Sequence, residues 1–192
     1  WRVPPGWRNS NRIKNPTMPR ESQDLEGDGV KGDFFPSSAQ TSTGGKLPSK
    51  FFMDSKACQR CHPSIYEQWS SSAHRFSSFN NQWYRKSIEY MQDVIDVKPS
   101  KWCAGCHDPA LLFSGMFDAP IKQSIDKPEA HAGLGCVMCH SISGVKSTMG
   151  QGDYTLEYPA LAELAASENK VVKALHDFLV HVNPEPHRRT FL

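Results

Sequence analysis

Three observations predict that the 192-residue chain folds as a mainly α protein with much irregular structure. Its six cysteines all fall into three copies of one pattern: Cys58-Gln-Arg-Cys61-His62, Cys103-Ala-Gly-Cys106-His107 and Cys136-Val-Met-Cys139-His140. Apolar side chains recur at helical spacing in three stretches outside these copies, and strand signals are short and scattered. The copies are not a strict repeat, because successive motif histidines lie 45 and then 33 residues apart.

Residues 1–50 hold six of the fourteen prolines and six of the thirteen glycines, with many Ser, Thr and Asn. They read as an extended N-terminal arm, poor material for an independent core. Within the arm, Asp24-Leu-Glu26-Gly-Asp28-Gly29 resembles the start of a calcium loop, but Phe35 stands where a bidentate Glu is needed, so a solvated turn is preferred. From Phe51 the composition changes, and residues 51–192 form the expected cofactor domain. Pro63 suits a first helical position, and Ile65, Tyr66, Trp69 and Ala73 predict a helix over 63–74. Trp83, Tyr84, Ile88, Met91 and Ile95 predict a second over 79–97, ending before Pro99. Leu111, Leu112, Phe113, Met116 and Phe117 read as a mixed loop. Leu161, Leu164, Val171, Leu175, Phe178 and Leu179 predict the clearest helix, from about Ala160 to Val182.

Cys-x-x-Cys-His is the pattern of covalent c-type haem attachment, in which two thiols bond the porphyrin vinyl groups and the histidine binds iron. Three copies with no cysteine left over imply three haem c groups, on Cys58, Cys61, Cys103, Cys106, Cys136 and Cys139, with His62, His107 and His140 as proximal ligands. A redox dithiol would occur once, and a zinc ribbon needs no histidine after each pair. A hydrophobic fraction of 38% is low for a self-sufficient core, so side chains are expected to pack on the porphyrins and the unloaded chain to be largely unstructured.

Five histidines remain for the sixth iron positions. His74 closes the first predicted helix, too far along it to reach its own iron, and is expected to serve a neighbouring one. His131 precedes Gly133 and Gly135, a flexible approach to Cys136. His187 follows the Pro184–Pro186 turn. His176 and His181 cannot both face one haem from one helix; His176 falls near the apolar face, and His181 is the expected bystander. Met138 is excluded by its place between two anchoring cysteines, whereas Met53, Met91, Met116 and Met149 read as packing residues. Bis-histidine irons are therefore expected. Tyr66, Trp69, Phe76, Phe79, Trp83, Tyr84 and Trp102 read as haem-packing aromatics, and Arg60, Arg75 and Arg85 are candidates to pair with propionates.

The formal charge is +2. Six propionates outweigh three ferric cores, so the loaded protein turns slightly negative and no basic patch supports nucleic-acid binding. Thioether attachment takes place outside the cytoplasm, so a periplasmic or extracellular location is expected. The chain opens on Trp1 without an apolar run, which suggests a removed leader or anchor and leaves membrane association open.

The run Cys58-x-x-Cys61-His62-Pro63-x-x-Tyr66-x-x-Trp69-x-x-x-x-His74 resembles the multihaem cytochromes related to the tetrahaem electron carrier of hydroxylamine oxidation. His131-Ala-Gly-Leu-Gly-Cys136-Val-Met-Cys139-His140 is similar to a second signature of that family. The resemblance covers residues 51–192 and implies closely stacked haem pairs within a mainly helical multihaem cytochrome c fold. In the family, a histidine at the end of the Tyr/Trp helix ligates a different haem. This chain has three attachment sites where the namesake has four. Its ending, Pro186-His187-Arg188-Arg189, looks like a passage leading to a further haem segment, so the chain is also read as a piece of a longer protein.

The leading expectation is single-electron transfer through three closely spaced haems between donor and acceptor redox proteins, within a larger redox complex. The competing expectation is an oxidoreductase of small nitrogen or sulfur compounds at a five-coordinate haem, for which only Lys56 and Tyr84 are available and no catalytic constellation is seen.

Overall fold

The computed structural model describes Gly27 and residues 29–53, 55–146, 152–159 and 161–185. His187, Met149 and most of the candidate calcium loop lie outside the described residues.

Nine short helices, together with four 3-10 turns, make up just over half of the described residues. In order they are α1 Ser49–Phe52, α2 Ser55–Cys58, α3 Pro63–Ser70, α4 Gln82–Val94, α5 Val97–His107, α6 Pro109–Ser114, α7 Cys136–His140, α8 Ala162–Ala166 and α9 Lys170–Val182. Single 3-10 turns lie at Gly29–Lys31, Met116–Asp118, Ile121–Gln123 and Pro128–His131. Three short strands, β1 Gln40–Thr41, β2 Ile142–Val145 and β3 Tyr154–Leu156, form a sheet in the order β1-β3-β2. β1 runs parallel to β3, pairing Gln40 with Thr155, while β2 is antiparallel to β3 with an irregularity between Ile142 and Gly144.

Local chemistry explains where the helices start and stop. Pro63 and Pro109 open α3 and α6, where a missing N–H costs nothing. The Asn81 side chain caps α4 by accepting from the N–H groups of Trp83 and Tyr84. The helix expected over 79–97 ends sooner, at Val94, and α5 restarts at Val97. A continuous helix would drive the Pro99 ring into the Ile95 carbonyl; Asp96 instead adopts extended backbone and caps α5 through Val97 N–H at 2.6 Å. α3 stops at Ser70, short of His74. The helix expected over 160–182 is broken at 167–169, where the Asn169 side chain caps α9 through Val171 N–H. Ser and Asn offer the backbone these alternative bonds and interrupt helices.

The loop expected around Leu111 is a helix. All of Pro109, Ala110, Leu111, Leu112 and Phe113 are buried, so α6 is apolar on every side and lacks the one-faced periodicity that marks a surface helix. It ends at Gly115 in the left-handed conformation (φ 79°). α6 is the centre of the core. Phe113 meets the ring of Phe34 edge-on at 4.7 Å and that of Phe52 face-on at 5.7 Å.

The boundary expected at residue 50 is not a boundary of packing. Phe34, Ala39 and Leu47 belong to the same core as α6, and Leu47 N–H donates to the Phe113 carbonyl. Residues 29–50 are therefore a strap built into the domain. The aromatic residues expected against porphyrin divide into two sets: Phe79 is buried, whereas Trp83 is 86% exposed and Phe76 and Trp102 stand half out. Exposed apolar groups also line α9 at Val171, Leu175, Phe178 and Val182.

Phe34 is 1% exposed, and its loss leaves a cavity that α6 cannot fill by rotation. Phe34→Ala is expected to destabilise the protein by about 3–5 kcal/mol, measured by denaturant unfolding. An unchanged midpoint would mean that the strap does not hold the core.

Candidate haem-attachment turns and the histidine block

Each Cys-x-x-Cys-His motif is one turn of helix. The second occupies the end of α5 and the third is the whole of α7. In the first, the Cys58 carbonyl accepts from Cys61 N–H at 3.2 Å and His62 N–H at 2.9 Å, continuing α2 by a turn. Spacings of three and four residues bring two thiols and an imidazole to one side of a helix. In every copy the first cysteine is half-buried and the second exposed. A planar group bonded to both thiols from the open side fits this arrangement. Among the described residues, no three His, Cys, Asp or Glu side chains converge as a protein-only metal cage requires. A porphyrin, which brings four nitrogens of its own, fits such a donor set.

The three turns differ in setting. Gln59 and Arg60 of the first are exposed. Ala104 and Gly105 of the second are buried, and a Cβ on Gly105 would lie 2.4 Å from Ser37 Oγ. Tyr154 donates its hydroxyl to the Gly105 carbonyl. Met138 of the third is buried in the core.

His107 is the most completely held of the motif histidines. Its Nδ1 lies 2.6 Å from the Ser77 carbonyl, which requires the proton on Nδ1 and leaves the lone pair on Nε2, the nitrogen that could bind a metal. The Tyr84 ring stacks on the imidazole, with centroids 4.3 Å apart and planes 12° from parallel. Ser78 donates its hydroxyl to the His107 carbonyl. The next residue, Asp108, is buried and accepts a short hydrogen bond from the Tyr84 hydroxyl. Burial raises the Asp108 carboxyl to about 8, against the lowering effect of hydrogen bonds from Tyr84 and Ser78. Burial, then the Asp108 charge, raises the Tyr84 phenol well above its ordinary value. Both shifts keep protons in the pair.

A network of backbone-directed bonds joins this site to His74 and His131. Leu134 N–H donates to the His74 carbonyl at 2.9 Å and Phe79 N–H to the Ala130 carbonyl at 3.0 Å. Arg75 Nη1 donates to the His131 carbonyl at 2.7 Å, Asn80 Nδ2 to the Arg75 carbonyl at 2.8 Å, and Trp69 Nε1 to the Leu134 carbonyl at 2.7 Å. Gly133 sits where the two segments press together: its φ is 67°, and a Cβ there would lie 2.4 Å from the Arg75 carbonyl oxygen. The glycine expected to give flexibility instead gives close approach.

The other candidate residues are placed as follows. His74 is exposed, in the turns after α3. His131 is half-buried, with Nε2 2.8 Å from the Ile125 carbonyl, so that nitrogen has a protein partner. His176 is 6% exposed and Nδ1 lies 3.1 Å from Asp177. It faces inward, on the side of α9 away from Val171, Leu175 and Phe178, and so does not share their face as expected. Asp177 holds Arg60 through two bonds of 2.8 and 2.7 Å, which ties α9 to the first motif. His62, His140 and His181 are exposed. The arginines considered for propionates all have protein partners: Arg60 with Asp177, Arg75 with the His131 carbonyl and Arg85 with Glu89. Lys56 is exposed on α2, and Tyr84 is committed to Asp108.

The first and third motifs touch. In the unmodified chain a hydrogen bond with the Cys58 thiol is the main cause holding Cys136 down to about 6, opposed by burial and helped by Ser55. The Ser55 hydroxyl also accepts from Cys136 N–H at 3.1 Å. Burial pushes the Cys103, Cys106 and Cys139 thiols up.

Sequence reasoning missed Ser77, Ser78, Asn80 and Asp108. Asp108 was detectable, since an acid directly after a ligating histidine shares its setting. The serines were not, because Ser77 and Ser78 fall between the two predicted helices and read only as loop.

Residues 57–141 match the family model described as cytochrome c554 and c-prime. The matched stretch is just under half of the chain and contains all three motifs. No curated protein and no solved structure gives a significant match. The family match supports a c-type cytochrome that carries haem c and transfers electrons, and the mostly helical, irregular fold is consistent with it.

Gly133→Ala is expected to cost at least about 1–2 kcal/mol for the left-handed backbone alone, with further loss from the clash at Arg75. A thermal melt unchanged from wild type would contradict the tight crossing. A second expectation concerns pH. Asp108 binds its proton more tightly folded, at about 8, than unfolded, at its ordinary 3.8. Its contribution to stability is full below its ordinary value and is lost as pH rises through about 8. Asp108→Asn should flatten that part of the stability profile, read as melting temperature against pH; parallel profiles would refute the raised carboxyl.

Proposed function

We propose that this chain passes single electrons through three covalently attached haems, at Cys58/Cys61/His62, Cys103/Cys106/His107 and Cys136/Cys139/His140. Bound haem supplies the iron that takes up and releases the electron. The observation that carries the reading is the contact between the Cys58 and Cys136 thiols. Two attachment points belonging to different motifs are neighbours, so the cofactors they hold are close enough to exchange electrons.

The protein's own groups hold and orient. Ser77 fixes the His107 tautomer through its carbonyl. The bonds between 72–80 and 130–134 keep His74 and His131 at set distances from that centre. Little side-chain rearrangement accompanies electron exchange in a frame so cross-linked. Sixth iron ligands are drawn from His74, His131, His176 and His187. The buried His176, held with Asp177 and Arg60 against the first motif, is better placed than its position on the helix suggested.

Attachment through thioethers places the working protein in the periplasm or outside the cell, where donor and acceptor redox proteins meet it within a larger assembly. Among the described residues, no helix is long and apolar enough to cross a membrane.

Intact mass of the native protein should show three added porphyrins, and a redox titration three one-electron steps. Fewer than three porphyrins would overturn the reading. His74→Ala should turn one low-spin iron high-spin, while His181→Ala should leave the ferric spectrum as it is. A high-spin iron in the wild type that binds cyanide or nitrite would move the assignment to a reductase or oxidase of small compounds.

A further inference from the structure

We propose that Tyr84 is a positioning residue for His107: it sets the rotation of the imidazole about the bond from its ring nitrogen to iron, and so tunes that one centre apart from the other two. The inference rests on the reading of Cys103, Cys106 and His107 as a haem site.

A histidine ligand with a single hydrogen bond at Nδ1 can still pivot about that bond. The 2.6 Å contact with the Ser77 carbonyl fixes where Nδ1 points and which tautomer is present, but not the tilt of the ring plane. A second constraint on the plane comes from a flat surface lying parallel to it. The Tyr84 ring does this, 4.3 Å away and within 12° of parallel.

The surface is itself immobile, as a template must be. Its hydroxyl donates to buried Asp108, its other contacts include the Phe79 ring at 5.2 Å, and its backbone N–H is held by the Asn81 cap at 3.3 Å. Asp108 follows His107 directly in the chain. The Tyr84–Asp108 bond therefore closes a short loop through the backbone of the residue whose ring is being held. Ser78 completes the clamp by fixing the His107 carbonyl. The orientation of an axial imidazole decides which iron orbitals it overlaps, and ligand-orienting groups tune potential.

The test uses the fully loaded protein and low-temperature EPR, whose g values follow the axial ligand planes, together with the redox titration. In Tyr84→Leu, with three haems by mass, the signal of one iron should be displaced and one of the three redox steps shifted, the other two staying at wild-type values. Tyr84→Phe keeps the ring but loses its tether, and should displace the same signal by less. Wild-type g values in both loaded variants would overturn the inference. So would equal displacement of every signal, which marks general loosening. Should Tyr84→Leu fail to fold, Tyr84→Phe decides alone: a displacement confined to one signal supports the role, and none refutes it. A wild-type peptide 103–107 without haem would instead remove the functional reading, and this inference with it.

Discussion

The crossing of residues 72–81 with 130–135 is the constraint on which the rest of the site depends. Here two backbones approach so closely that one side must lack a side chain, and Gly133 meets that requirement at φ 67°. Much of what holds His74, His107 and His131 passes through this crossing. The carbonyls of His74 and His131 are acceptors in it, and the Ser77 and Ser78 that hold His107 lie in its first segment. Most of these bonds end on backbone atoms, so their geometry depends on chain path and not on rotamer choice. Buried backbone groups must be paired, and here that pairing also assembles three histidines from widely separated parts of the chain.

Around His107 the protein departs from the usual economy of a core. A carboxyl is buried, at a cost that its hydrogen bonds from Tyr84 and Ser78 only partly offset. The same two groups also touch His107, one through its ring and one through its carbonyl. Polar groups are concentrated where orientation matters, while the neighbouring α6 is apolar from Pro109 to Phe113. Rigidity at His107 and hydrophobic stabilisation thus come from adjacent but separate parts of the molecule.

What could be read in the sequence followed how local each signal is. The three motifs, the helix starts at Pro63 and near Trp83, and the helical stretch toward Val182 were legible because spacing and caps act over a few residues. Breaks at Asp96 and Ser167–Asn169 were missed, although Pro99 and Asn169 carry them, because apolar periodicity continues across both. α6 was hidden by its own burial. The strap reads as an arm because Pro, Gly and Ser dominate it, and only the fold reveals that Phe34 and Leu47 share a core with α6. The crossing at Gly133 was illegible in principle, since it joins residues more than fifty positions apart and uses mostly main-chain atoms.

The pairing of β1 with β3 also bears on how the second motif is reached during biogenesis. Gln40 has its partner in Thr155, and Ser37 of the same strap abuts Gly105, between the two cysteines. A strand cannot pair with a segment that has not yet been synthesised. Until residues 154–156 follow, the strap lacks its sheet neighbour, and Ala104–Gly105 stay uncovered. A long-range contact of this kind is slow to form. The cover over Ala104–Gly105 is therefore a late contact, laid on the buried side of the turn while Cys106 stays exposed on the other.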